Sequence, residues 1–267
     1  MINEPKKNFK IVTDTKARVI LPNTLTLIGV CIGLTSINFA LNGNYKLSII
    51  AILLAAIIDG LDGRIARLIR GTSKVGKELD SLTDVISFGV APAFIMYFWQ
   101  LNTLGKIGWL ISLIYVVCVA LRLARFNVNT GGESSWRDNF FEGVPSPAGG
   151  ILVLSPLIYE VSGFDFININ YKLIVPIVFM VISILLISKV PTYSFKKIVV
   201  PRSTTIFLLF GIVLLFGLLL IFPFKVLIIC SLLYLILITI SAFHFFKLKK
   251  DLKNDNKITD KEPEDVL

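Results

Sequence analysis

Ile57-Ile58-Asp59-Gly60-Leu61-Asp62-Gly63-Arg64-Ile65-Ala66-Arg67, then eight residues, then Gly76-Lys77-Glu78-Leu79-Asp80-Ser81-Leu82-Thr83-Asp84: the reading of the whole chain turns on this stretch. Four aspartates fall within 26 residues, between the apolar runs 52–58 and 85–91. On insertion scales a charge at the centre of a membrane helix costs roughly 2.5–3.5 kcal/mol, so acids in such surroundings need a compensating role. Their position toward the helix ends softens the cost. Asp59 and Asp62 are three apart and Asp80 and Asp84 four apart, so each pair shares one helix face. With Gly71 and Gly76 between them available for a short turn, the two helices are expected to run antiparallel, with both pairs near the same end.

The surrounding composition is that of a membrane protein. Of 267 residues, 55% are hydrophobic and only 17% charged, and mean hydropathy is +0.78; soluble domains carry about 25% charged residues. Disorder, a collagen-like chain and a nucleic-acid-binding domain are poor fits. No nucleic-acid partner is expected from the net charge of +9, because in so apolar a chain basic residues belong at a membrane surface. Cys31, Cys118 and Cys230 are widely spaced in apolar runs and read as small buried residues rather than a disulfide or metal set. A single histidine, His244, argues against zinc-protease and Ser-His-Asp chemistry; among Phe243, Phe245 and Phe246 it reads as an interface residue.

Stretches of about 20 apolar residues span a bilayer as helices. Eight occur, near 22–41, 47–68, 79–100, 104–126, 145–162, 171–189, 203–222 and 224–245. Of the 27 basic residues, 23 fall before the first segment, after the second, fourth and sixth, or after the last. The remaining connections hold one each: Lys46, Lys106, Lys172 and Lys225. This alternation is a positive-inside signal. It predicts an all-α polytopic membrane protein of about eight transmembrane helices with both termini cytoplasmic. The expected organisation is a cytoplasmic segment over 1–19 without a signal-peptide core, a membrane domain over 20–246, and a charged, unstructured cytoplasmic tail over 247–267.

Four converging aspartates repel one another unless a cation neutralises them. All-oxygen donors, with no histidine or cysteine near, favour Mg²⁺ or Mn²⁺. Two such ions would suit phosphoryl transfer, where they hold phosphate oxygens and stabilise the attacking and leaving groups. Gly63 and Ala66 keep one face of the first helix open, and Arg67 offers a bidentate donor to phosphate. A salt-bridged hairpin, with the aspartates paired to Arg64, Arg67, Arg70, Lys74 and Lys77, accounts for any one aspartate but poorly for all four. With three carboxylates on metal, the fourth is free to act as a base; spacing does not say which one.

Asp59, Asp62, Gly63, Ala66, Arg67, Gly76, Asp80 and Asp84 fill every fixed position of D-x₂-D-G-x₂-A-R-x₈-G-x₃-D-x₃-D. This pattern resembles the signature of the CDP-alcohol phosphatidyltransferases, integral membrane enzymes of phospholipid synthesis. The resemblance implies a substrate of CDP-diacylglycerol type, divalent metal on Asp59, Asp62, Asp80 and Asp84, and Asp84 as the base that deprotonates the acceptor hydroxyl. It also implies that Gly63, Ala66, Arg67 and Gly76 contact the CDP-alcohol, joined by Asn23 and Thr26 of Pro22-Asn23-Thr24-Leu25-Thr26. The other reading of that element is a helix start with its cap.

Three further stretches resemble the bacterial phosphatidylserine synthase branch. They are 84–93 (DVISFGVAPA), Arg122-Leu-Ala-Arg125-Phe-Asn127 with Phe140-Phe-Glu142-Gly143-Val-Pro145-Ser146-Pro147, and Tyr193-Ser194-Phe-Lys196-Lys197. The branch implies L-serine as acceptor and a bacterial inner membrane, with the site facing the cytoplasm. Serine carries a carboxylate, and arginine offers it a planar fork. Arg122 and Arg125, three apart, are therefore candidates, although interfacial arginines also snorkel to water. Asn127, Glu142 and Ser146 are weaker candidates for the ammonium or hydroxyl. Lys196 and Lys197 read as markers of the cytoplasmic side. Gly29 and Gly33 form a small-xxx-small pair that packs helices, within the chain or in the homodimer the family is known for. The same chemistry with glycerol 3-phosphate or an inositol compound stays open as an alternative. A cation-coupled transporter fits poorly, because the acids cluster in one hairpin instead of both halves.

Overall fold

The computed structural model describes residues 15–69, 71, 73–129, 140–164, 170–188, 190–193 and 202–259. Arg70, Lys196 and Lys197 fall outside these residues. The architecture is helical. The chain runs α1 (Thr15–Leu41), α2 (Tyr45–Leu68), α3 (Lys74–Asp84), a π-helical turn (Val85–Val90), α4 (Ala91–Trp99), α5 (Lys106–Asn129), β1 (Phe140–Glu142), α6 (Ser146–Val153), α7 (Ser155–Ser162), α8 (Tyr171–Ile187), β2 (Pro191–Tyr193), α9 (Arg202–Ile221) and α10 (Pro223–Thr259). Each of the eight apolar segments lands on helix. Ile20–Leu41, Lys74–Trp99, Lys106–Val128 and Pro223–Ser241 are long and apolar enough to cross a bilayer, and Tyr171–Ile187 and Thr205–Ile221 are shorter apolar helices. Around α9 the apolar side chains are exposed on every side, Phe207 by 76% and Phe210 by 66%. So large an exposed apolar surface has no place in water; the chain is a membrane protein.

Several expectations are corrected. α1 begins at Thr15, so Pro22 lies inside the helix and does not open it. In the α2–α3 connection the Gly71 N–H donates to the Ala66 carbonyl at 2.9 Å, and the Ser73 side chain accepts from the Gly76 N–H at 2.9 Å and caps α3, satisfying one of the free donors at a helix start. Gly76 is already in the first turn of α3. The third apolar segment is a continuous helix, but six residues of it, directly after Asp84, take the wide π form. The fifth is broken into α6 and α7 at Leu154, with a proline in the first turn of each half. α10 continues as helix to Thr259, through much of the tail expected to be unstructured. Once a long apolar helix is nucleated, adding residues to it costs little.

The third apolar segment forms the centre of the core. α4 touches α1, α2, α5 and α6, and Phe88, Ala91, Ile95 and Met96 are wholly buried. Tyr115 of α5, itself wholly buried, donates to the Phe88 carbonyl at 2.8 Å. α1 and α2 form an antiparallel pair turned by Gly43, whose φ of 74° is the left-handed conformation that ends helices. Gly29 and Gly33 serve this chain's own packing. A Cβ on Gly33 would stand 2.5 Å from Ser87 Oγ and 3.1 Å from Ser87 Cα, and one on Gly29 3.5 Å from the Thr83 methyl. The small-residue face of α1 therefore seats α3 and the π turn. β1 and β2 pair antiparallel, Phe140 with Tyr193 and Glu142 with Pro191. This short ladder was not expected, and it joins two of the stretches singled out in the sequence.

Candidate metal and acceptor site

α2 and α3 bring the four aspartates together as the spacing requires. Oxygens of Asp59, Asp62 and Asp80 lie within 4.8 Å of one another. Asp62 is 2% exposed and accepts from Thr26 Oγ1 at 2.6 Å, so α1 reaches into the cluster. Asp59 and Asp80 have other carboxylates as their charged neighbours. Three hard oxygen donors this close, one buried and two half-buried, fit a divalent cation of the Mg²⁺ or Mn²⁺ class. Gly63, four after Asp59 and so on its face, is open as expected: a Cβ there would meet nothing within 4 Å. Ala66 is half-buried and Arg67 exposed. Asn23 approaches Gly76 so closely that a Cβ there would stand 2.8 Å from Asn23 Oδ1. The Asn23–Thr26 face of α1 thus borders both the start of α3 and the cluster.

Asp84 differs from the other three in its partners. It lies against Asp59, but one of its oxygens, Oδ2, accepts from the Ser146 hydroxyl. Ser146 Oγ in turn accepts from Arg122 Nη1 at 3.0 Å. Ser146 is 1% exposed, and the chain's architecture holds it there. It opens α6 directly after the β1–β2 ladder. Between them Gly143 (φ 78°) donates to the Val190 carbonyl at 2.9 Å. A Cβ on Gly143 would stand 3.0 Å from the carbonyls of both Leu186 and Ser188, so only glycine fits this turn. Two buried atoms of the relay have no partner among the described residues, Asp84 Oδ1 and Arg122 Nε. A buried polar atom without a partner costs about 1–3 kcal/mol, and at a binding site that cost is met when the ligand arrives.

The other expected acceptor residues are placed differently. Arg125 Nη1 donates to the Ile187 carbonyl at 2.8 Å. It caps the end of α8, where free carbonyls and the helix dipole favour a cation, and it does not join Arg122. One helical face did not ensure one partner, because α6 and the end of α8 flank that face separately. Asn127 donates to Ser81 Oγ at 2.9 Å and ties α5 to α3. The side chains of Glu142 and His244 lie outside the described residues. The π turn after Asp84 was not anticipated; it bears no motif and leaves no trace in hydrophobic periodicity.

Comparison with known proteins agrees with this geometry. The family profile described as CDP-alcohol phosphatidyltransferase matches residues 19–187. A protein of Mycobacterium leprae named CDP-diacylglycerol–serine O-phosphatidyltransferase is 42% identical over 185 residues, 68% of this chain and 61% of that protein. One of the same name from Helicobacter pylori (strain 26695) is 35% identical over 179 residues, 67% of this chain and 74% of that protein. An archaetidylserine synthase of Methanothermobacter thermautotrophicus is 34% identical over 177 residues, 64% of this chain and 69% of that protein. The matched part of the chain spans 61% and 49% of the lengths of two mycobacterial relatives. The profile covers more than half of the chain and contains all four aspartates and the Arg122–Ser146 relay: the chain belongs to the CDP-alcohol phosphatidyltransferase family.

Proposed function

We propose that this protein transfers the phosphatidyl group of CDP-diacylglycerol to the hydroxyl of L-serine, giving phosphatidylserine and CMP. The observation that carries the reading is that Asp84, alone of the four aspartates, has its carboxylate tied through Ser146 to Arg122. Asp59, Asp62 and Asp80 would hold the divalent metal, one ion or two, with Asp84 at its edge. Bound there, the metal would neutralise the phosphate oxygens of the nucleotide lipid. Asn23, Thr26, Gly63, Ala66, Arg67 and Gly76 border that side and would receive the CDP moiety. Asp84 takes the proton of the serine hydroxyl. The oxygen so freed forms a bond to the phosphorus bearing the diacylglycerol, and the bond from that phosphorus to the CMP oxygen breaks. CMP leaves with the electron pair. A positioned general base commonly contributes 10²–10⁴-fold. Arg122 is the side chain suited to the serine carboxylate, and Arg125 is left as a helix cap. The relatives' names support serine as acceptor. The archaeal relative's name, archaetidylserine synthase, fits a pocket that keeps serine while the lipid varies.

The same reading places the protein in a bacterial inner membrane with eight spans, both termini and the site on the cytoplasmic side, and a membrane domain over 20–246. The test is CMP release in detergent micelles with CDP-diacylglycerol and Mn²⁺ or Mg²⁺, comparing L-serine, glycerol 3-phosphate and inositol 1-phosphate. Serine-dependent release that is lost in Asp84→Asn is the expected result. Release with another acceptor would keep the chemistry and refute serine; none with any acceptor, from folded protein, would refute both.

A further inference from the structure

The wide turn between α3 and α4 has its cause in the sequence. In an α-helix each carbonyl accepts from the N–H four residues on. The Phe88 carbonyl would need residue 92, and residue 92 is proline. Proline has no N–H, and its ring crowds the carbonyl four residues back. The chain ahead of Pro92 opens to the π form instead, and the Ala91 N–H reaches five residues back to the Ile86 carbonyl. Phe88 is wholly buried, and its carbonyl accepts from the Tyr115 hydroxyl at 2.8 Å. A side chain of α5 thus supplies the donor that Pro92 lacks.

The neighbours leave this turn little freedom. A Cβ on Gly89 would stand 3.3 Å from Val119 Cγ1, and one on Gly150 3.2 Å from Phe88 Cβ, so α5 and α6 close on it from two sides. Tyr115, Val119 and Arg122 follow one another at intervals of four and three residues, on one face of α5. That face meets the turn at Phe88 and Gly89, and through Arg122 and Ser146 it reaches Asp84. α3 carries Asp80 and Asp84 directly ahead of the turn. α4 beyond it is fixed in the core, with Ala91, Ile95 and Met96 wholly buried. Exchanging a π turn for an α turn takes one residue out of the count and rotates α3 against α4 by about 100°. The form of the turn therefore decides whether the carboxylates of α3 face those of α2.

We propose that Tyr115 is a positioning residue for the aspartates of α3: its hydroxyl holds the π turn open and so sets the rotation at which Asp80 and Asp84 meet Asp59 and Asp62. Its consequence for the rate rests on the phosphatidyl-transfer reading. The test uses the full-length chain in detergent. It compares wild type with Tyr115→Phe, which removes only the hydroxyl, and with the double variant Tyr115→Phe/Pro92→Ala, which gives the Phe88 carbonyl a backbone donor again. Mn²⁺ binding is followed without substrate, by the EPR signal of the free ion, and serine-dependent CMP release is followed at saturating Mn²⁺. Loss of the buried hydrogen bond in Tyr115→Phe should weaken Mn²⁺ binding by roughly tenfold. It should lower kcat by a similar factor, with KM for L-serine and for CDP-diacylglycerol changed by less than about twofold. A hydroxyl that only stabilised the fold would leave fewer ions bound at unchanged affinity, and that result overturns the assignment. The double variant should stay weak in both readings, because its donor returns with the α turn. Recovery of wild-type affinity and rate there would show that the hydroxyl merely satisfies a carbonyl. If Tyr115→Phe alone does not fold, the double variant decides by the same two readings. A wild type that releases no CMP with any acceptor would remove the parent reading, while the Mn²⁺ comparison still decides this one; an active wild type matched by Tyr115→Phe in both readings removes only this one.

Discussion

Ser146→Ala tests the relay without touching an aspartate. Ser146 Oγ is the one atom that both donates to Asp84 Oδ2 and accepts from Arg122 Nη1. Alanine removes a hydroxyl from a site that is 1% exposed, leaving a gap too small to admit a replacement water. Asp84, whose other oxygen already has no partner, then loses the hydroxyl that orients it. A hydrogen bond to a charged group is worth about 1.5–3 kcal/mol. If the bond serves to aim the base at the acceptor, kcat/KM should fall by roughly tenfold to a hundredfold. The assay is serine-dependent CMP release, with melting in the same detergent to show that the fold is intact. Ser146→Thr, which keeps the hydroxyl and its position at the start of α6, should recover part of the loss. The reasoning fails if Ser146→Ala stays within about twofold of wild type while Asp84→Asn is inactive. The base would then need no orienting partner, and the Arg122–Ser146–Asp84 chain would be packing alone.

Two further outcomes follow from distances. Gly33→Ala puts a methyl against Ser87, including its backbone at 3.1 Å; overpacking of this kind costs about 1–3 kcal/mol, so the variant should melt lower, whereas Gly211→Ala, with nothing within 4 Å, should melt at or above wild type, and equal melting of the two would refute the close seating of α1. Asp59→Asn removes one of the close carboxylates, so in EDTA it should melt a few degrees above wild type, while saturating Mn²⁺ should raise the melting temperature of wild type and not of the variant; a variant that responds to Mn²⁺ like wild type would show that the cluster is not the metal site.

Most of the hairpin was legible in the sequence because spacing alone governs it. Residues three and four apart on a helix must share a face, and an antiparallel turn then fixes which ends meet. That Thr26 belongs at the site came from the family resemblance; its bond to Asp62 was not legible in spacing. What stayed hidden depends on tertiary partners. Arg122 and Arg125 share a face, yet α6 receives one and the end of α8 the other. The pairing of Phe140–Glu142 with Pro191–Tyr193 is invisible to local pattern, since three-residue strands carry too little alternation to read. Pro22 looked like a helix start because proline suits the first turn, but α1 begins at Thr15 and runs through it to Leu41.

The energetics of the cluster argue for its division of roles. Unit charges about 5 Å apart repel by on the order of 3 kcal/mol at an effective dielectric of about 20. Asp59, Asp62 and Asp80 stand close to one another, and Asp59 and Asp80 face Asp84 as well. Hydroxyls compensate only two of the four aspartates, Thr26 for Asp62 and Ser146 for Asp84, and a neutral hydroxyl does not offset charge. Arg122 offsets one charge and stands on the Asp84 side. The larger uncompensated excess is therefore left on the trio, so a bound cation gains most there. Asp84, neutralised in part by Arg122 through Ser146, is the carboxylate that can keep an oxygen for the acceptor while the other three hold the metal. The same asymmetry explains why a family signature of four aspartates needs the α5–α6 relay, more than 35 residues further along the chain, before one of the four differs from the rest.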